Sequence, residues 1–383
     1  MRMRSLLPFT KCRRGGLSVL LAALSLTAVL AGCSGKTETP TAATAETAAA
    51  AETTAEAMAV ETTAAETTTA AETTGTASTV PTIIPEDVTI RVGSLKGPTS
   101  MGLVHLMDLS EQGTAGNNYE FTMFTAADEL LAKIAVKDLD IALVPANIAS
   151  VLYNKTQAIT VIDINTLGVL DIVASDDSIK SIADLKGKTL YLTGKGTTPE
   201  YVINYLLAAN GLTTDDVSLE FKSEATEVAV ILKEQPDSIG LLPQPFVTAA
   251  CAQNENLKIV LDLTKEWQAV QGAQGSQLVT GVTVVRKEFL EENPNAIALF
   301  LQEHQASSDF ANANVDETAE LIARLGIVEK AAIAKKALPY CNITCITGEP
   351  MREALSGYLG VLAEQSPASI GGQLPDDGFY FLP

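Results

Sequence analysis

The sequence predicts an α/β protein whose folded part has two lobes, each a mainly parallel sheet flanked by helices, with a helical return at the C-terminus. Three observations predict it. β-rich segments alternate with helix-period segments from residue 88 onward, the alternation restarts near residue 181, and the chain beyond residue 288 reads almost wholly as helix.

Residues 88–92 alternate as a strand and reach a turn at Gly97-Pro98, after which 99–107 reads as an amphipathic helix with Thr99 or Ser100 as its N-cap. A second strand at 119–124 precedes a helix over 127–136, whose apolar positions are Leu130, Leu131, Ile134 and Ala135. A buried strand follows at 140–144, then β-rich stretches at 159–164 and 168–174. This βαβαβ order calls for parallel pairing with helices on the sheet faces. The second lobe opens with a short helix over 181–188 stopped by Gly187, a strand at 189–192, and a helix over 197–209 closed by Asn210-Gly211. A strand at 217–221, a helix over 225–234 and strands at 238–242 and 258–263 complete it. A strand at 282–286 then leads into helix over 288–310 and helical sequence to 358. Crossings between lobes are expected near 170–175 and 281–286. The expected organisation is therefore a leader (1–33), a tether (34–85), a first lobe (86–175 and 283–383) and a second lobe (176–282).

Composition bounds the function. Of 383 residues, 46% are hydrophobic, enough for a sizeable core, and 46 acids against 26 bases give a net charge of -20. Such a surface repels phosphate backbones, so no nucleic-acid partner is expected. Two histidines and five cysteines are too few for a His-rich metal site or a Cys-rich cluster, and neither metal nor cofactor is expected.

The first 33 residues read as an address. Arg2, Arg4, Lys11, Arg13 and Arg14 precede a nearly unbroken apolar run over 17–30, which ends in Leu30-Ala31-Gly32-Cys33. This is the plan of an export signal, and its ending resembles the lipobox of bacterial lipoproteins, in which the cysteine is acylated and becomes the new N-terminus. Cys33 is then the membrane anchor. The apolar run falls short of the roughly 20 residues a spanning helix prefers, and acyl chains hold a protein on a membrane without crossing it. Residues 34–85 are built from Ala, Thr and Glu with no apolar stripe, which makes them a solvated tether with a reach of roughly 40 Å. Its threonines also fit a glycosylated or adhesive stalk.

Three motifs carry a family resemblance: Asp184-Leu185-Lys186-Gly187-Lys188 before a strand, Leu242-Pro243-Gln244-Pro245-Phe246-Val247-Thr248, and Val284-Val285-Arg286-Lys287-Glu288-Phe289-Leu290 followed by Asn293-Pro294. In this order, behind a lipobox, the run 88–383 resembles the solute-binding proteins of ABC importers, in the nitrate, sulfonate and taurine-like group related to thiamine-precursor binders. The resemblance implies a type II periplasmic-binding-protein clamp that closes on one small solute and presents it to an ABC permease. It also implies an extracytoplasmic, lipid-anchored monomer.

In open α/β sheets ligands sit beyond the carboxyl ends of the strands. The first candidate loop is Lys96, Gly97, Pro98, Thr99, Ser100 and Met101, where hydroxyls and backbone N–H groups meet at a helix start that attracts anions. Its counterpart is Gly194, Lys195, Gly196, Thr197 and Thr198. Two such starts facing each other would clamp an anionic group; each by itself also reads as an ordinary turn. Further lining is expected from Thr125 and Ala126, from Pro145, Ala146 and Asn147, and from Thr166, Gln244 and Pro245. Asn147 and Gln244 suit a polar or heteroaromatic solute because amides both donate and accept. Trp267 could stack on a ring, or simply pack, and Glu224 could accept an amine, or stay solvated. None of Arg91, Arg286, Arg324 and Arg352 falls in these loops, so no arginine fork for an oxyanion is evident, which favours a zwitterionic or weakly polar ring compound.

Enzyme readings lack their motifs. Gly187-Lys188-Thr189 follows Ile182 where a phosphate loop needs glycine, and no Gly-x-Ser-x-Gly elbow occurs. The family has a branch that builds thiamine pyrimidine using its own histidine; here His105 and His304 read as core or surface residues. Cys341 and Cys345 bracket a loop and are either a disulfide, which export permits, or two buried thiols; Cys251 stays unpaired. The reading is a non-enzymatic solute receptor, with a surface adhesin or sensory subunit, or the synthase-like enzyme, as alternatives.

Overall fold

The structure, a computed structural model, describes residues 87–272 and 275–383. The leader, Cys33 and the tether lie outside the described residues. The first sheet is entered at β1 (Thr89–Leu95), followed by α1 (Pro98–Met101), α2 (Val104–Glu111), β2 (Asn118–Phe124), α3 (Ala127–Ala135), β3 (Ile141–Pro145), α4 (Ala146–Thr156) and β4 (Ile159–Leu167). β1 pairs in parallel with β2 and with β3. The helix expected over 99–107 is two pieces. Ser307 Oγ accepts from Leu106 N at 3.0 Å and donates to Gly102 O at 2.6 Å, so a side chain replaces the ladder there. Gly102 permits this approach, since a Cβ on it would come within 2.9 Å of Ser308 Oγ.

The second sheet is built by β5 (Leu170–Ala174), β6 (Thr189–Leu192), α5 (Thr198–Ala209), β7 (Ser218–Phe221), α6 (Ala225–Glu234), β8 (Ile239–Pro243), α7 (Phe246–Gln253), β9 (Lys258–Asp262) and α8 (Leu263–Gln271). β10 (Val279–Arg286) returns to the first sheet, and α9 (Lys287–Glu292), α10 (Pro294–Ala313), α11 (Val315–Arg324), α12 (Ala331–Ala337), β11 (Ile343–Ile346) and α13 (Gly348–Gln365) follow. The strand orders are β11-β4-β10-β3-β1-β2 and β7-β6-β8-β5-β9.

The α/β class and the two-sheet plan stand as expected, but the pairing is mixed. β6 runs parallel to β7 and β8, whereas β5 is antiparallel to β8 and β9, and β10 is antiparallel to β3 and β4. Strands that carry the chain between sheets enter from the opposite end, and this reverses their direction. They also displace the expected crossing: β5, read from sequence as the end of the first lobe, hydrogen-bonds in the second sheet, and the chain passes over at Leu167–Leu170. Asn342 clasps that passage, accepting from Leu167 N at 3.2 Å through its carbonyl and donating its side-chain amide to Gly168 O.

One apolar cluster runs through both sheets, including Val161 and Ile164 of the first, Ile172 and Leu190 of the second, and Trp267 and Tyr358 between them. The other face of the first sheet packs Ile90, Val92, Leu106 and Phe300, and the other face of the second packs Val173, Val228, Leu232 and Val247. At one end of the first sheet, Asp140 (1% exposed) accepts from Arg91 Nη2 and Arg286 Nη2 at 2.7 Å each and from Arg91 Nε at 2.8 Å. These two arginines are therefore committed to the frame. No helix among the described residues is long and apolar enough to cross a membrane.

Candidate functional site

The carboxyl ends of β1 and β3 and those of β6 and β8 form the two edges that carry the predicted loops, and one hydrogen bond joins them. Asn147, in the first turn of α4, donates Nδ2 to Gly196 O of the β6–α5 loop at 3.2 Å and also to Ser369 O at 3.2 Å. Gly194 and Gly196 hold that loop in shape with φ of 76° and 75°, a region where only glycine is unstrained. Around the contact, Asn147 Oδ1 is buried without a hydrogen-bond partner, and the buried Thr198 and Tyr358 hydroxyls lie beside each other. Burial raises the Tyr358 phenol above its ordinary value, and the Thr198 hydroxyl beside it offsets this in part. An orphaned amide oxygen and two buried hydroxyls, carried by α4, α5 and α13, thus mark one junction, and an unpaired buried group of this kind is costly unless something meets it.

The hydroxyls expected to clamp an anion donate within their own turns. Ser100 Oγ lies 2.6 Å from Ser94 Oγ and donates to Leu95 O at 2.6 Å, and Thr99 Oγ1 donates to Leu95 O at 3.2 Å, so both close their own turn. α1 has four residues and no side-chain cap. Thr197 Oγ1 likewise donates to Gly194 O at 2.8 Å, and the Gly196 N–H is taken by the Glu200 carboxylate. An acid on that N–H repels the anion the sequence pattern suggested.

Other expected residues divide. Thr198, Asn147 and Gln244 are buried at the strand ends, with Pro145 and Ala146 leading into Asn147. Thr166 is buried with its hydroxyl on Asn165 Oδ1 at 2.9 Å, and Met101 sits in the apolar cluster of the helical return. Lys96, Thr125 and Ala126 are exposed, the latter two after edge strand β2, and Lys195 is exposed over the Phe221 ring at 5.7 Å. Glu224 is exposed ahead of α6, and its carboxylate accepts from Thr226 Oγ1 at 3.2 Å. Trp267 is no open plate: it is fully buried, donates Nε1 to Ser276 O at 2.8 Å, and stands 4.7 Å from the Tyr205 ring and 5.6 Å from the Tyr358 ring.

One residue was missed. Asp171, 8% exposed, lies on β5 opposite Leu242 and Asp262, at the same end of the sheet as the β6–α5 loop. Gln244 Nε2 donates to its Oδ2 at 3.2 Å, while Gln244 Oε1 accepts from Thr248 Oγ1 at 2.8 Å. Burial, then the neighbouring Asp262, push the Asp171 carboxyl up to about 7. Its signal in the sequence is a lone acid in the apolar run Leu170-Asp171-Ile172-Val173.

Neither histidine reaches the junction. His105 stacks on Phe310 with ring centroids 3.7 Å apart, and His304 is fully buried beneath the first sheet. Cys341 and Cys345 are free thiols and not a disulfide, because Cys341 Sγ turns to Ala337 O at 3.3 Å while Cys345 Sγ faces His304 Nδ1 at 4.0 Å. Surface concavities of about 640, 270 and 440 Å³ elsewhere contain no residue of the facing loops.

Solved structures share this architecture. An ABC-transporter protein from Parabacteroides distasonis superposes with a TM-score of 0.65 at 24% identity, covering 77% of this chain and 99% of that one. The aliphatic sulphonate-binding protein SsuA of Escherichia coli gives 0.63 at 16% identity over 77% of this chain and 92% of its own. The fold is that of the periplasmic binding proteins. Residues 154–318 of the chain match the family model described as NMT1/THI5 like. The shared fold is the one that the resemblance drawn from the sequence implied. Candidate binding proteins of Brucella abortus and Brucella melitensis align at 25% identity over 209 residues, 53% of this chain. The alignment spans 62% of those relatives, less than two thirds of their length.

Proposed function

We propose that this periplasmic-binding-protein fold captures a small polar solute between its two sheets and delivers it to an ABC importer, held at the membrane by a lipid on Cys33. The lobes are residues 87–167 with 279–383, and 170–272. The observation that carries the reading is the junction itself, where Asn147 bridges to Gly196 and keeps a buried oxygen without a partner. The SsuA relatives are named for sulfonates, one of them bound to MOPS. Here the Glu200 carboxylate on the Gly196 N–H and the buried Asp171 favour a neutral or cationic solute with hydrogen-bond donors. Asp171 with Gln244 would accept its donors, and Asn147, Thr198 and Tyr358 would fix the rest.

Thermal-shift screening of the chain against amines, amino acids, thiamine precursors, riboflavin, sulfonates and nitrate tests this, because a ligand of the folded state alone raises the melting temperature. Amine or heteroaromatic solutes should stabilise it; stabilisation by sulfonates alone would refute the charge argument. Cys33→Ala is expected to move the protein from the membrane to the soluble fraction. Retention of that variant on membranes after carbonate washing would exclude the anchor.

A further inference from the structure

We propose that Asp163, His304 and Cys345 form a buried site for a thiophilic divalent cation such as Zn2+, separate from the solute junction. The three come from β4, α10 and β11, and the fold brings one ligating atom of each within 4.8 Å of the others. His304 Nδ1 is 3.1 Å from Asp163 Oδ2 and 4.0 Å from Cys345 Sγ. Zinc bonds of about 2.0 Å to nitrogen and 2.3 Å to sulfur put tetrahedral ligands roughly 3.3–3.8 Å apart, so small side-chain shifts suffice. Counting histidines and cysteines in the sequence excluded a His-rich or Cys-rich site and overlooked a mixed one.

A further feature favours a ligand set over a plain hydrogen-bonded pair. Asp163 has the outer support that metal-binding carboxylates use: Thr283 Oγ1 donates to its other oxygen at 2.7 Å, and Asn165 Nδ2 donates to Thr283 Oγ1 at 3.1 Å. On binding, the Cys345 S–H proton leaves to solvent and the Nδ1 proton moves to Nε2. Thiolate sulfur, imidazole Nδ1 and carboxylate oxygen then each donate a lone pair. The two anionic ligands balance the charge of the cation. Asp163 and His304 are fully buried, so the ion enters as the chain folds and ties the first sheet to the helical return.

The test is to refold the full chain from denaturant with Co2+, remove free metal by desalting, and record bound cobalt and the near-ultraviolet spectrum. One cobalt per chain with a thiolate-to-cobalt charge-transfer band is expected; Zn2+ should abolish the band, Cys345→Ser should lack it and Cys251→Ser should keep it. Natively refolded chain with no retained cobalt, or an unchanged band in Cys345→Ser, would overturn the site. Should Cys345→Ser not fold, zinc-edge X-ray absorption of the unaltered zinc-loaded chain decides. One sulfur among nitrogen and oxygen neighbours supports the site, and a shell without sulfur refutes it.

Discussion

Asp140→Asn is expected to destabilise the protein by about 1–3 kcal/mol, the worth of hydrogen bonds to charged groups, because Arg91 stays partly exposed to water. Asp140 is 1% exposed and is the acceptor of both Arg91 and Arg286, so the variant leaves two guanidinium groups facing a neutral amide. Burial by itself would raise the Asp140 carboxyl, but the hydrogen bonds from Arg91 and Arg286 outweigh it and hold the group below its ordinary value. A depressed carboxyl contributes stability that is present above its unfolded value, about 3.9, and is lost as pH falls through the folded one. Urea unfolding as a function of pH should therefore show a steeper acid limb in the wild type than in Asp140→Asn, which keeps only the share of other depressed carboxylates such as Asp176 and Asp216. Equal stability of the two proteins at pH 7 would show that the arginine forks are surface ornaments of no energetic weight.

Asp171→Asn is expected to act in the opposite direction. With its carboxyl raised to about 7, first by burial and then by Asp262, the folded state binds a proton that the unfolded state has released. Stability from this group falls as pH rises from about 4 to 7, and the ionised acid costs on the order of 1–3 kcal/mol above that window. The amide keeps the Gln244 contact, because its oxygen still accepts from Gln244 Nε2. The variant should therefore be more stable than the wild type at pH 8 and nearly equal at pH 4. If the solute presents a donor or a cation to Asp171, its affinity should fall about 10–100-fold, the worth of a charge-assisted hydrogen bond. A gain of stability at pH 8 with unchanged affinity would place Asp171 in the frame and not in the binding surface.

Most of the architecture is legible in the sequence, because apolar periodicity marks β1, β3, β6, β8 and α5 wherever one face must be buried. β11 is not legible: Ile343-Thr344-Cys345-Ile346 is four residues long, sits among helices, and exists because the edge of β4 offers it partners. The reading also passes over α4 and α7, which start directly at Ala146 and Phe246 after strand ends rich in proline, with no side-chain cap to announce them. The site is half legible. Position after a strand identifies Asn147, Thr198 and Gln244, yet the pattern cannot say where a hydroxyl points. Ser100 and Thr197 look like an anion cradle in sequence, and both spend their hydroxyls on the carbonyl of their own turn. Asp171 hides because a burial cost is a property of its neighbours Asp262 and Gln244, which are distant in the chain.

The most direct test is calorimetric titration of a stabilising solute into the wild type and into Asn147→Ala. Asn147 touches the opposite sheet through Gly196 and keeps a free buried oxygen beside it. Loss of both is expected to weaken solute binding about tenfold or more, the value of a buried hydrogen bond left unmade. Identical affinity in the two proteins, with the variant still folded, would mean that the solute is held somewhere other than between the sheets.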